Sequence, residues 1–251
     1  MLIKILLWII PAAALLILLL LVISALLVNS RKEYAKNSSY YRALLDVSTA
    51  VGIKLLRIHV TIDGREKLPQ NTRFLLVSNH RSNFDPIVTW YALREQKIAF
   101  VSKPENFKIP VFGRIIRKCC FLPIDREDAR KAMDTIHSAA NLLASGEVSV
   151  GIYPEGTRGK ADTLLPFHNG VFKIAKKANA PIVVMSVTGT DQIWENWYRR
   201  PSQVTLHVLA VIPACEVAQM KTAEIGEIVK ERITDDLIKN ASIPGKGVGH
   251  A

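Results

Sequence analysis

The apolar positions of the chain follow three successive patterns, of which the first is an unbroken run. Residues 5–28 include no charged side chain. About 20 such residues form a helix long enough to cross the hydrocarbon of a bilayer. The run therefore predicts a membrane helix, with an anchor over residues 1–30. Two alternatives remain open: a secretory signal peptide, whose apolar core is usually shorter, and a hairpin, kinked at Pro11, that enters one leaflet without crossing it.

The second pattern has helical spacing and falls between residues 40 and 57. Its apolar side chains are Leu44, Leu45, Val47, Val51, Leu55 and Leu56. This spacing predicts an amphipathic helix within a linker over residues 31–56. Such a helix can lie on a membrane, cover the protein core, or do both.

The third pattern alternates short apolar runs with longer helical segments. Strands are predicted at 57–62, 73–78, 97–101, 119–124, 148–153, 182–187 and 204–211, and helices near 86–94, 110–117, 126–145, 169–179 and 221–239. Such alternation is typical of an α/β fold, with a central, mostly parallel or mixed sheet flanked by helices. We expect one domain over residues 57–240 and a flexible tail over 241–251.

The charge balance restricts the class of partner and the orientation of the anchor. The chain has 33 lysines and arginines against 22 acidic residues, a formal net charge of +11. This excess favours an anionic partner: nucleic acid, a membrane surface or a phosphorylated substrate. One cation precedes the apolar run and several follow it closely: Lys4, then Arg31, Lys32, Lys36 and Arg42. The positive side of an anchor stays inside, which predicts that residues 31–251 lie at the cytosolic face of the cell membrane.

The three cysteines exclude two kinds of stabilisation. Cys119 and Cys120 are adjacent, so they suit neither a disulfide framework nor the ligand spacing of a zinc site. Both fall in an apolar run, which predicts buried thiols rather than nucleophiles. The sequence also lacks a G-x-S-x-G nucleophile elbow and the glycine-rich loops that hold nucleotide phosphates.

The first candidate site is N-H-R-S-N-F-D-P, residues 79–86, which follows a predicted strand. In open α/β sheets, sites form where the carboxyl ends of strands meet loops. Asp85 precedes Pro86, a pair typical of a helix start, so Asp85 is expected to cap the helix. Its carboxylate can also orient His80, which makes the imidazole a better base. A capping role alone would equally explain Asp85.

The second candidate is Y-P-E-G-T-R-G, residues 153–159, which also follows a predicted strand. Its proline and glycines favour a tight loop from which Glu155 and Arg158 project. The arginine fork matches the geometry of phosphate. An ordinary surface turn with a Glu–Arg pair remains the alternative. Lys103 and Arg126 follow predicted strands in the same way, so four loops are expected to converge on one crevice.

Six segments, in order, resemble the 1-acylglycerol-3-phosphate acyltransferase family of phospholipid synthesis. They fall within residues 57–215 and are N-H-R-S-N-F-D-P (79–86), V-S-K-P-E-N-F-K-I-P-V-F-G-R-I-I-R (101–117), L-P-I-D-R (122–126), Y-P-E-G-T-R-G (153–159), F-H-N-G-V-F-K-I-A (167–175) and A-P-I-V-V-M-S-V (180–187). The chain departs from the family pattern at Tyr153, usually Phe, at Gly159, often Ser, and at Met185, often Pro. These departures bear on the preferred acyl chain or acceptor more than on the reaction itself.

The resemblance implies transfer of a fatty acyl group from a thioester, acyl-CoA or acyl carrier protein, to the sn-2 hydroxyl of lysophosphatidic acid, giving phosphatidic acid. It implies that His80 is the general base and that Asp85 orients it. Arg158, with Lys103 and Arg126, would hold the phosphate.

The resemblance also implies that Glu155, Gly156 and Thr157 hold acceptor hydroxyls or shape the loop. The expected partners are the bilayer, lysophosphatidic acid and the thioester co-substrate. We expect no metal, no other cofactor and no nucleic acid. The same chemistry on another lysophospholipid or a lyso-aminolipid remains open. So does a membrane-bound lipid-binding protein, a different functional class.

Overall fold

The structure is a computed structural model that describes residues 2–159 and 164–241. Within the first helix, only some of the side chains are described. The helices are α1 Leu2–Leu26, α2 Ser39–Leu55, α3 Asp85–Ala92, α4 Phe112–Lys118, α5 Ala129–Ala144, α6 Lys173–Ala178, α7 Ile193–Asn196, α8 Ala214–Gln219 and α9 Thr222–Ala241. The strands are β1 Ile58–Asp63, β2 Leu75–Ser78, β3 Ile98–Ser102, β4 Leu122–Pro123, β5 Ser149–Ile152, β6 Ile182–Thr188 and β7 Ser202–Ile212. Beyond Ala241, the predicted tail lies outside the described residues.

The strands form one mixed sheet in the order β1-β7-β6-β2-β5-β3-β4. The five strands from β6 to β4 are parallel to one another, and β7 runs antiparallel to β6 with β1 parallel to it. All residues of β2 and β5 are buried, as expected for parallel strands covered on both faces. The prediction of an α/β fold with a mixed sheet and flanking helices is confirmed.

The connections between strands place a crevice at the centre of the sheet. The crossovers β2–α3–β3 and β3–α4–β4 advance toward one edge, and β4–α5–β5 and β5–α6–β6 return toward the other. Because such crossovers are almost always right-handed, the two pairs of helices cover opposite faces. The neighbouring strands β2 and β5 therefore send their chains to opposite faces, which opens a crevice between their carboxyl ends.

The carboxyl end of α1 packs against α2 and α4. The Ser24 hydroxyl oxygen lies 2.6 Å from the Tyr40 hydroxyl, and the Ser24 carbonyl accepts a hydrogen bond from Tyr41. Several side chains nearer the middle of α1, including Leu15 and Leu18, are exposed. Among the residues described by the structure, no helix combines the length and the apolar character needed to cross a membrane.

Candidate active site

Four loops converge at the carboxyl edge of the parallel strands, as the sequence predicts. The loops after β2, β3, β4 and β5 bring His80, Lys103, Arg126 and Arg158 to the wall of one cavity of about 840 Å³. Gly156 and Thr157 line the same cavity. These residues come from four separate segments, so the sheet topology, rather than local sequence, assembles the site.

His80 and Asp85 form a close pair at this edge. The imidazole Nδ1 lies 2.7 Å from Oδ2 of Asp85. Since a carboxylate can only accept, Nδ1 carries the proton and Nε2 remains as the basic nitrogen. The side chain of Asp85 is completely buried, whereas that of His80 is 17% exposed and lines the cavity. The geometry therefore fixes one tautomer of the imidazole at a wall that a ligand can reach.

Asp85 does not cap α3 as the sequence suggested. It is the first residue of the helix, and its Oδ2 turns back to accept the backbone N–H groups of Arg81 and Ser82, at 2.7 and 2.8 Å. Oδ1 accepts a hydrogen bond from the hydroxyl of Thr190. The carboxylate thus binds the loop that carries His80, and this role is one of positioning the imidazole rather than starting the helix.

Thr190 reaches Asp85 because the chain turns sharply after β6. Gly189 has φ = +83°, a conformation that favours glycine. A side-chain carbon at this position would also collide with the carbonyl oxygen of Gln203 on β7. The turn therefore requires glycine. Thr190 was not predicted as a site residue, although its place just beyond a predicted strand is the signal that identified the other loops.

The loop over residues 153–159 is fastened directly to His80. The buried Glu155 accepts the backbone N–H of His80 through Oε1, at 2.7 Å, and that of Leu165 through Oε2, at 3.0 Å. Gly159 donates its N–H to the His80 carbonyl at 2.9 Å. Burial raises the pKa of Glu155, and the two backbone hydrogen bonds partly offset this. Glu155 therefore holds two loops together behind the cavity wall and does not project from the turn.

Tyr153 begins this loop and packs against the imidazole. The ring centroids of Tyr153 and His80 are 4.4 Å apart, with the planes inclined by 18°. The ring of Tyr153 is also parallel to that of Phe100, with centroids 5.9 Å apart. The sequence marked Tyr153 only as a departure from the family pattern and gave no sign of these contacts.

The mouth of the cavity is cationic. Lys103, Arg126 and Arg158 are exposed to solvent there, so an anionic group can reach them without entering the interior. Desolvation lowers the pKa of Arg126, and the nearby Glu105 opposes this shift. Arginine nevertheless stays charged near neutral pH. The three cations are thus placed to bind phosphate or another anion.

The absence of a side chain at Gly156 leaves room for the imidazole of His168 at the cavity mouth. Gly156 has φ = +71°, and a side-chain carbon there would lie 2.9 Å from Cδ2 of His168 and 3.5 Å from Cδ of Arg126. His168 also lines the cavity. The sequence analysis placed His168 within a resembling segment but assigned it no site role.

The interior of the cavity is apolar. Its apolar lining comes from β5, from one face of α5 and from the segments after β4 and before α6: Ile124, Ala132, Met133, Ile136, Ile152 and Val171. The cavity therefore joins a cationic mouth, a His–Asp pair and an apolar interior. Such a space suits an amphipathic ligand with an anionic head and a hydrocarbon chain.

The cysteines play no part in this arrangement. Cys119 and Cys120 are free and buried, as predicted. Burial raises the pKa of Cys119 to about 12 and that of Cys120 to about 11. Thiols with such pKa values are protonated near neutral pH and are poor nucleophiles.

The fold and the site together define an α/β protein with an oriented His–Asp pair above a mixed sheet. Residues 59–188, about half of the chain, match the family described as Acyltransferase. The chain belongs to this family. The match includes His80, Asp85, Lys103, Arg126 and Arg158.

Several curated relatives have the name 1-acyl-sn-glycerol-3-phosphate acyltransferase. The chain is 31% identical to the one from Cocos nucifera over 71% of its own length and 58% of the relative's. It is 30% identical to that of Limnanthes alba over 78% and 68%, respectively. A chloroplastic relative from Brassica napus is 39% identical over 53% and 38%. The chain thus spans between about a third and two thirds of these relatives.

A solved structure has the same fold. The 1-acyl-sn-glycerophosphate acyltransferase from Thermotoga maritima superposes with a TM-score of 0.69, covering 82% of this chain and 81% of that one. The sequence identity is 23%. This likeness supports the architecture of the sheet and its helices.

Proposed function

We propose that the protein transfers a fatty acyl group from a thioester to the sn-2 hydroxyl of lysophosphatidic acid, forming phosphatidic acid. The observation that carries the proposal is the His80–Asp85 pair, with its 2.7 Å contact, in the wall of a cavity that has a cationic mouth and an apolar interior. The names of the relatives support the choice of acceptor.

The reaction needs a base, because an alcohol is a poor nucleophile at neutral pH. Nε2 of His80 takes the proton of the acceptor hydroxyl as its oxygen attacks the thioester carbonyl carbon. The carbon–sulfur bond then breaks, and the thiolate takes the proton from the imidazolium. The products are an ester and a free thiol. General-base catalysis of this kind contributes about 10²–10⁴-fold, and Asp85 stabilises the imidazolium formed in the first step.

Substrate binding divides between the two ends of the cavity. Arg158, Lys103 and Arg126 bind the acceptor phosphate, since charge-assisted bonds to phosphate are strong. Gly156 and Thr157 border the acceptor at the mouth, and Glu155 shapes the loop from behind. The donor is acyl-CoA or acyl carrier protein, and its hydrocarbon chain enters the apolar interior.

The proposal includes the membrane. An acceptor with a hydrocarbon chain resides in a bilayer, and we propose that the apolar segment 5–28 holds the catalytic domain at the cytosolic face of the cell membrane. The exposed leucines of α1 support an apolar environment around this helix. Protease treatment of sealed vesicles of each orientation tests the topology. Cleavage of residues 31–241 from the luminal or external side would contradict it.

An acyl-transfer assay on the detergent-solubilised chain tests the reaction. Acyl-CoA and acyl carrier protein thioesters are each offered with a panel of lysolipids, beside His80→Ala. Phosphatidic acid that depends on His80 supports the proposal, and the better donor identifies the carrier. Transfer to another lysophospholipid or a lyso-aminolipid would replace the acceptor. No transfer by a folded protein would favour the lipid-binding alternative.

A further inference from the structure

An exposed group of aromatic rings lies on the segment between β6 and β7. Trp194 is 70% exposed, Trp197 is 47% exposed and Tyr198 is 61% exposed. Arg199 and Arg200 follow them and are also exposed. We call these five residues the aromatic loop. Large rings with this exposure are uncommon on a protein surface that serves no partner.

The aromatic loop is ordered from beneath. Ile193 is fully buried, and Asn196, 7% exposed, accepts a hydrogen bond from Nε of Arg200 through its Oδ1. The rings also contact one another: Trp194 and Trp197 have centroids 6.4 Å apart and inclined by 26°, and Trp197 meets Tyr198 edge-on at 5.6 Å. The three rings are therefore already ordered at the surface, so binding a partner costs little additional side-chain entropy.

The charge around the rings is positive. Besides Arg199 and Arg200, Arg57 donates to the Trp197 carbonyl at 3.3 Å. The segment between β6 and β7 contains two acidic residues, Asp191 and Glu195, and Asp191 pairs with Arg81 rather than with the arginines of the aromatic loop. Aromatic rings with polar edges, flanked by arginines, match the boundary between the headgroups and hydrocarbon of a bilayer. Anionic headgroups would attract the arginines.

An exposed apolar stripe on α2 ends near the aromatic loop. Tyr40, Val47, Val51 and Leu55 are 48–75% exposed and recur at helical spacing along one side. The stripe ends two residues before Arg57, which contacts the aromatic loop. An apolar stripe beside aromatic rings and arginines matches a lipid surface, which can cover all three. An acidic protein partner would pair with the arginines but would leave the apolar stripe in water.

The aromatic loop also lies at the edge of the sheet that holds the active site. It follows the carboxyl end of β6, and the same segment supplies Thr190 to Asp85. Asp191 is 3.8 Å from Arg81, the residue after His80. We propose that the aromatic loop inserts into the interfacial layer of an anionic bilayer and brings the cavity mouth to the lipid surface. This inference rests on the proposed function for its purpose but not for the fluorescence test of the insertion.

Tryptophan fluorescence tests the insertion directly. The chain has four tryptophans, Trp8, Trp90, Trp194 and Trp197. In the full chain with Trp8→Phe, vesicles of phosphatidylcholine and phosphatidylglycerol with brominated acyl chains should quench the emission. Trp90 is 3% exposed, so the further changes Trp194→Phe and Trp197→Phe should abolish the quenching. Emission that is unquenched in the first variant would overturn the proposal.

Two further variants test the charge and the purpose. Because segment 5–28 is itself proposed to bind lipid, the readout is again quenching of the emission of the Trp8→Phe chain rather than total binding. Arg199→Gln with Arg200→Gln should lower this quenching several-fold on anionic vesicles and leave it unchanged on neutral ones. Equal quenching on both, before and after the change, would overturn the choice of an anionic surface. Trp194→Ser with Trp197→Ser should lower turnover of acceptor embedded in vesicles several-fold, but not turnover of a short-chain acceptor dissolved as monomers. An equal loss on both acceptors would overturn the interfacial role.

The outcomes also separate the two proposals. Quenching without any acyl transfer would keep the lipid contact and reject the proposed reaction. Transfer without quenching would do the reverse.

Discussion

The phenol ring of Tyr153 lies almost flat against the imidazole of His80, with centroids 4.4 Å apart. The ring of Tyr153 is also parallel to that of Phe100. The imidazole is therefore held in two directions, by the carboxylate of Asp85 along one bond and by a stacked ring across its face. A general base must be held in this way if its Nε2 is to meet the acceptor hydroxyl.

The stacking predicts that Tyr153→Leu lowers kcat and Tyr153→Phe does not. An aromatic pair contributes about 0.5–1.5 kcal/mol beyond its buried area, so loss of the ring corresponds to a decrease of roughly two- to tenfold. We expect the hydroxyl to be dispensable because it is buried and interacts with the Thr89 side chain without a well-aligned hydrogen bond among the described residues. Burial also raises the pKa of Tyr153 well above its ordinary value.

Steady-state kinetics over a range of pH measure this effect. The Phe variant should keep both the kcat and the pH profile of the parent. A large loss in the Phe variant would show that the hydroxyl itself takes part in the reaction.

The role of His80 predicts that His80→Ala reduces turnover by about 10²–10⁴-fold without unfolding the protein. The measurement is kcat, with the thermal unfolding midpoint recorded for the same preparation. His59→Ala is a matched control, since His59 is an exposed histidine on β1 at the far side of the sheet. Near-parental activity in the His80 variant would contradict the general-base assignment.

The hydrogen bond from Thr190 predicts that Thr190→Val impairs both stability and turnover. Valine has the shape of threonine but leaves Oδ1 of the buried Asp85 without this donor. An unsatisfied buried acceptor costs about 1–3 kcal/mol, and a carboxylate that shifts will misorient His80. Urea unfolding measures the first effect and kcat the second. Thr190→Ser keeps the donor, so it should retain most of both, and equal behaviour of the two variants would count against the bond.

The sequence predicts the sheet well because its strands have a strong local signal. All seven predicted strands overlap observed ones, and the buried strands β2 and β5 are apolar throughout their middle. The convergence of four post-strand loops follows from parallel strands, and this too is confirmed. The helices α7 and α8 were missed because four and six residues are too few to show a helical period.

The supporting contacts of the site were beyond the sequence because they join distant segments. Thr190 and Asp85 are 105 positions apart, and Glu155 binds a backbone group 75 positions away. No spacing rule relates such pairs. The capping role expected for Asp85 failed for a different reason: the Asp-Pro pattern was correct for the helix start, but Oδ2 accepts hydrogen bonds from the preceding loop and Oδ1 accepts one from Thr190.

Asp236 on α9 gives a prediction about pH and stability. Its carboxylate accepts a hydrogen bond from Ser186 on β6 and lies 3.4 Å from Nδ1 of His207 on β7. Burial alone would raise the pKa of Asp236, but the bonds from His207 and Ser186 lower it below the ordinary value of 3.8. A carboxyl group with a lowered pKa in the folded state stabilises the fold above its unfolded pKa.

Asp236→Asn should therefore reduce the free energy of unfolding at neutral pH. The difference from the parent should shrink as the pH falls from 3.8 through the lowered pKa of the folded state, because the parent carboxyl then becomes protonated as well. Urea unfolding across a pH series measures it. Asp235→Asn, an exposed position on the same helix, is the control and should change little. A difference that grows at the lowest pH would contradict the link between α9 and the sheet.

The cationic mouth predicts that Arg158→Ala raises the KM for the phosphate-bearing acceptor more than it lowers kcat. Arg158 is exposed at the cavity wall and offers two parallel donors to a phosphate. Loss of a charged hydrogen bond of about 1.5–3 kcal/mol corresponds to an increase in KM of roughly ten- to a hundredfold. Arg158→Lys keeps the charge without the fork and should fall between the two. Arg94→Ala, an exposed arginine outside this cavity, is the control. Kinetics with each substrate varied in turn decide the assignment: a change confined to the KM of the thioester would place the anion site on the donor, where coenzyme A carries its own phosphates.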